Sequence, residues 1–210
     1  MKKIINYLNE TVKKEKNILI FNTIIFLVGV VLGSLFINFI TNDDKKLLIE
    51  QVSTFFSNVK KLTSDIFGFE SFLSILFNNL LVLSIIFVLG ISMIGIPIVI
   101  FILFFKGFML GTTISTIILK YSIKGIIGII LYIFPVCILS ICVYLFMCFY
   151  AIYASIKFLR AFLKKDTLNF KQFLGKYLLS FIVSITLILL LSLLDAYLTP
   201  LLLKLFTYLI

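Results

Sequence analysis

The sequence predicts an all-α fold, a polytopic helical membrane protein with about five transmembrane helices, a re-entrant half-helix and interfacial amphipathic helices. Three observations carry that reading. The 210 residues are 62% hydrophobic and 13% charged. Charge-free runs of 23, 35 and 32 residues, from 18, 71 and 125 respectively, exceed what a soluble core requires and match or surpass the roughly 20 residues that cross a bilayer. The lysines and arginines flank those runs unevenly, 11 on one side of a five-span layout and 7 on the other. A net charge of +10 would suit nucleic acid in a soluble domain, but cations placed at the ends of apolar spans answer to membrane topology instead. The lipid bilayer is the partner this implies, and nucleic acid is not expected.

Residues 1–17 carry Lys2, Lys3, Lys13, Lys14 and Lys16, with Ile4, Ile5, Leu8 and Val12 on one helical face, so a short cytoplasmic helix on the membrane surface is expected. The rest, 18–210, reads as one transmembrane domain. Its first span is about 18–40, an uncleaved anchor, and Gly29 and Gly33 form a small-xxx-small pair suited to helix packing. Thr41 to Asp44 offer an N-cap. Leu48, Val52, Phe56, Val59 and Leu62 then recur at helical spacing, predicting an amphipathic helix on the outer side, either lying in the headgroups or docking a partner. Gly90, Gly95 and Pro97 divide the next run into spans of about 72–93 and 97–119, because proline removes an amide donor. Ten apolar residues before Pro135 are too few to cross, so a re-entrant half-helix is expected over about 125–134 and a span over about 136–156. The connection from Lys157 to Lys176 holds six cations against Asp166 and belongs in the cytoplasm, where anionic lipid suits it. The last span covers about 178–199.

The 97–119 span is the one the others should pack around. It holds Lys106 near its middle, where a charge costs at least ~2.5 kcal/mol. Gly107, Gly111 and Ser115 follow at intervals of four, a smooth stripe for a neighbouring helix. The acid Asp195, in the last span five residues before Pro200, is the candidate partner of Lys106, although counting along the helices sets the two at different depths.

Catalysis finds little support. Histidine is absent, Cys137, Cys142 and Cys148 lie in one apolar run without CxxC spacing, and one membrane acid supplies no paired carboxylates. Catalytic residues, metal ligands and cofactors are therefore expected to be absent.

Two stretches, FFKGFMLGTTIS at 104–115 and LLDAYLTP at 193–200, resemble in order and spacing the stage II sporulation protein M family of endospore-forming bacteria. The likeness covers the whole chain, with Asp195 where the family pattern has glutamate. The resemblance implies a non-enzymatic anchor in the mother-cell septal and engulfing membrane. Such an anchor would recruit two extracytoplasmic wall-degrading proteins, stage II sporulation proteins D and P, during peptidoglycan remodelling. Carried over by motif, its functional positions would be Lys106, Gly107, Gly111, Asp195, Ala196, Tyr197, Thr199 and Pro200. The residues by themselves leave a rival reading, a membrane subunit of a transporter or permease, because intramembrane charges and broken helices also line substrate paths.

Overall fold

The structure is a computed structural model that describes residues 11–61, 69–130, 134–163 and 170–209. Its order is α1 Lys16–Phe39, α2 Asn42–Lys61, α3 Phe69–Ile91, α4 Gly95–Gly128, α5 Phe134–Phe162 and α6 Phe170–Leu209. All but α2 are long and apolar enough to cross a membrane, and this is a multi-pass helical membrane protein. Several bounds differ from those expected. α5 runs six residues beyond 156 and α6 starts eight before 178, so Phe158 and Phe170 belong to the ends of long spans. Phe158 meets Phe170 and Phe173 at 5.5 and 5.4 Å between ring centroids and clasps the α5–α6 hairpin. Pro135 sits in the first turn of α5, where its missing N–H would have had no intrahelical acceptor. Residues 1–10, most of the expected N-terminal surface helix, lie outside the described residues; 11–14 are helical, and Val12 packs on the core.

α5 is the central helix, buried along half its span while the other four are buried along a third or less. Met147, Phe149, Ala151 and Ala154 have no exposed surface, and α3, α4 and α6 surround them with Leu83, Ile86, Leu103 and Ile188. The opposite faces of α1, α3, α4 and α6 carry exposed Leu27, Val31, Phe77, Val88, Phe101 and Ile182. Those apolar faces meet lipid, which leaves close packing and internal polar bonds to hold the bundle together.

Packing is tightest along α1 and α4. A Cβ on Gly29 would strike the Phe104 carbonyl oxygen, and one on Gly33 the Phe108 carbonyl. The reverse holds too, because Cβ atoms on Gly107 and Gly111 would strike the carbonyl oxygens of Phe26 and Val30. Both small-residue pairs read from the sequence thus face each other across one seam, each helix resting its backbone in the notch of the other. Ser115 continues the stripe, partly buried.

The turn between α3 and α4 leaves carbonyls without helical donors. Ser155 of α5 shares its hydroxyl proton between two carbonyls here, 2.9 Å from the Gly90 oxygen and 3.0 Å from that of Ser92, which also accepts the Gly95 amide. Tyr177 of α6 donates to the Phe87 oxygen at 2.8 Å while its ring stacks on Phe87. Gly90 is the residue that admits them. A side chain there would collide with the Tyr177 hydroxyl and stand 2.7 Å from the Ala151 Cα.

At the far end of the bundle Thr41 caps α2, accepting from the Asp44 amide at 3.3 Å and donating to the Asp44 carboxylate at 2.7 Å. The apolar face of α2 packs against the bundle. Phe56 is buried against Ile117 of α4 and Leu203 of α6, with Val52 beside it, forming a second small core.

The half-helix expected over 125–134 takes a different form. Helical backbone continues to Gly128 but breaks at Ser122, whose φ of 50° and ψ of −127° lie outside the helical region. The following turn folds back on its own helix, bringing the position of a Gly125 Cβ to 2.7 Å from the Ile117 oxygen. Residues 131–133 lie outside the described part.

Candidate functional site

Depth along the bundle can be counted from the α3–α4 turn. Asn79 precedes Gly90 by 11 residues, Lys106 follows Gly95 by 11, and Tyr144 precedes Ser155 by 11. At ~1.5 Å per residue all three lie about 16 Å from the turn, close to the middle of the hydrocarbon layer. The side chains at this level are linked. The Tyr144 hydroxyl donates to Asn79 Oδ1 at 2.9 Å, and Asn79 Nδ2 lies 3.4 Å from the Ser192 hydroxyl on α6. The Lys106 ammonium sits over the Tyr144 ring, 4.6 Å from its centroid. A cation on an aromatic face gains ~0.5–2 kcal/mol, which offsets part of the cost of its depth.

Asp195 stands higher. It follows Tyr177 by 18 residues and Cys137 precedes Ser155 by 18, so both are about 27 Å from the turn. Thr199 donates to Asp195 Oδ1 at 2.6 Å. Pro200 interrupts the helical ladder here by offering no amide to the Ala196 carbonyl, yet α6 continues to Leu209. Ala196 is buried, whereas Tyr197 is 49% exposed and points away from the core.

Lys106 and Asp195 line one cavity of about 200 Å³, and every membrane-spanning helix contributes to its wall: Phe26, Asn79, Lys106, Tyr144 and Asp195 come from α1, α3, α4, α5 and α6. Direct pairing, the expectation from sequence, is not what the structure shows. Among the described residues no carboxylate lies within ion-pair distance of Lys106. The depth difference of about 10 Å is the reason. On α4 the cavity is lined on either side of Lys106, by Leu103 and by Leu110. A second hollow of about 280 Å³ continues from it, sharing Leu110, Cys137 and Asp195 and opening between Met109, Thr113 and Thr199. The arrangement is a mostly apolar passage through the bundle, with positive charge at mid-depth and negative charge near the far end. Charges so placed are held by cavity, ring and hydroxyl, without a neutralising contact.

The sequence reading missed Asn22, Asn79, Ser155 and Tyr177. Asn22 is fully buried on α1, and neither end of its amide has a hydrogen-bond partner among the described residues. An asparagine within an apolar run is itself a signal, because an amide in hydrocarbon needs a partner. No grouping of three or more cysteines and acids able to hold a metal occurs among the described residues.

No curated protein and no solved structure matches the chain. The family model described as stage II sporulation protein M matches residues 22–200, from the first span through the proline of the last. With that match covering most of its length, the chain belongs to the stage II sporulation protein M family and is a sporulation-related multi-pass membrane protein.

Proposed function

We propose that the protein is a non-enzymatic membrane scaffold that holds extracytoplasmic wall hydrolases, stage II sporulation proteins D and P, at the septal membrane during engulfment. In this reading the N-terminus and the α5–α6 connection are cytoplasmic, as their basic residues favour, and α2 lies outside. The observation that carries the proposal is the seating of α2. Phe56 ties it to α4 and α6, while Asp43, Lys46, Leu47, Glu50 and Thr54 along its other side are exposed. A fixed helix with a mixed-charge outer face is a platform a soluble domain can grip at modest cost in ordering.

The test is crosslinking and affinity recovery from sporulating cells with the wild type and with Asp43→Lys/Glu50→Lys. Recovery of an amidase and a lytic transglycosylase with the wild type, at least fivefold reduced in the variant, supports the scaffold. A second reading, a transporter subunit, draws on the cavity that Lys106 and Asp195 line. Recovery of an ATPase alone, with solute flux that depends on Lys106, would select that reading and overturn the scaffold.

A further inference from the structure

The passage holding Lys106 and Asp195 has no evident part in recruiting proteins at the surface, and its chemistry is specific. We infer that it is a binding site for a small zwitterion, a molecule with one anionic and one ammonium group a few bonds apart. A free amino acid and a zwitterionic lipid headgroup are the two sources of that chemistry. The inference does not rest on the scaffold reading.

Charge decides the class. One cation and one carboxylate line the same 200 Å³ space at different depths. A purely anionic ligand would satisfy Lys106 and oppose Asp195, and a purely cationic one the reverse. A ligand carrying both signs answers both. Other polar groups are already committed, the Tyr144 hydroxyl to Asn79, the Asn79 amide to Ser192, and Asp195 Oδ1 to Thr199. The charged groups that face a ligand are then the Lys106 N–H groups and the second Asp195 oxygen, with the Ser140 hydroxyl and the Cys137 thiol as the neutral polar groups beside them.

Length agrees with charge. By residue count Lys106 and Asp195 stand about 10 Å apart in depth along the bundle. Two hydrogen bonds of about 3 Å, one at each end, leave a few ångströms between the ligand's charges, as in an α- or β-amino acid. Phe26, Leu103 and Ile141 supply apolar wall for a short side chain or methylene group. The outer hollow joins the site at Asp195 and opens between Met109 and Thr113, both exposed. A ligand entering there meets the carboxylate first and the ammonium deeper, so its anionic group leads.

Cys137 lines both hollows and reports occupancy. The full chain carrying Cys142→Ser is placed in phosphatidylglycerol nanodiscs, and alkylation of Cys137 by a small maleimide is timed. Glycine at millimolar concentration, or phosphatidylethanolamine as half of the lipid, is expected to slow alkylation at least fivefold, while acetate and methylammonium leave it unchanged. Protection by glycine alone assigns a free zwitterion, and protection by phosphatidylethanolamine alone assigns a headgroup. Lys106→Gln and Asp195→Asn should each abolish protection and Lys106→Arg should keep it, with thermal melting of each variant checking that the bundle is intact. Equal protection by acetate or methylammonium would overturn the assignment. So would failure of both zwitterions to slow alkylation or raise the melting temperature of the wild-type protein.

Discussion

Alanine at Gly33 puts the α1–α4 seam to its strictest test. The added methyl would stand 2.8 Å from the Phe108 carbonyl carbon and 2.9 Å from its Cα. Those are main-chain atoms of a helix and cannot swing aside. Carbon contacts become favourable near 3.5 Å and the Phe108 carbonyl oxygen lies closer still, so the helices must part by about 0.7 Å or more, a gap that forfeits at least a quarter to a half of the dispersion energy along the seam. Overpacking of this kind costs about 1–3 kcal/mol. Replacing glycine by alanine in a helix separately gains ~0.5–1 kcal/mol. Gly175 on α6 isolates that gain, since a Cβ there meets nothing within 4 Å. Gly33→Ala is therefore expected to lie about 2 kcal/mol below Gly175→Ala when unfolding is titrated with dodecyl sulfate in mixed micelles and followed by circular dichroism. Gly111→Ala, which meets Ser34 N at 2.9 Å from the other side, should fall equally far. Because either change already opens the seam, the double variant should cost less than the sum. Alanine at Gly33 or Gly111 as stable as alanine at Gly175 would refute the interlocked seam.

Three further outcomes are expected. Ser155→Ala leaves the Gly90 carbonyl without its side-chain donor, while that of Ser92 keeps the Gly95 amide, and Tyr177→Phe removes a donor from Phe87, so the former should destabilise by about 1–3 kcal/mol and the latter by about 1 kcal/mol in the same titration. Tyr144→Phe keeps the aromatic face under Lys106 but loses the bond to Asn79. It should therefore cost ~1 kcal/mol, while Tyr144→Leu should cost ~1 kcal/mol more, and equal losses would show that the ring does not hold the ammonium. Phe56→Ala should free α2 from α4 and α6, by about 3 kcal/mol of local stability. Limited proteolysis should then cut within 42–61, and resistance equal to the wild type would contradict the packing.

The seam was legible because intervals of four glycines are a pattern one helix displays by itself. Gly29, Gly33, Gly107 and Gly111 each announced a smooth face, and only their mutual assignment needed three dimensions. The spans were legible from apolar length, and their ends less so: nothing in the periodicity distinguishes an apolar residue at a headgroup from one in a span, so the expected spans stop at 156 and begin at 178 while α5 and α6 run on through Phe158 and Phe170. The α2 helix showed its apolar stripe, but its cover, Ile117 and Leu203, lies far away in sequence. Lys106 and Asp195 stood out through the cost of charge in hydrocarbon. The neutral groups that organise the space between them did not, because Asn79, Tyr144 and Ser192 acquire meaning only when three helices bring them to one depth.

The seating of Phe56 bears on the order of biogenesis. α2 leaves the ribosome early, yet Leu203, part of the surface that covers Phe56, is translated 147 residues later. Until the final span has inserted, α2 can rest only on α4, and the rest of its apolar stripe remains open to chaperones and proteases. A chain stalled midway is thereby marked as unfinished.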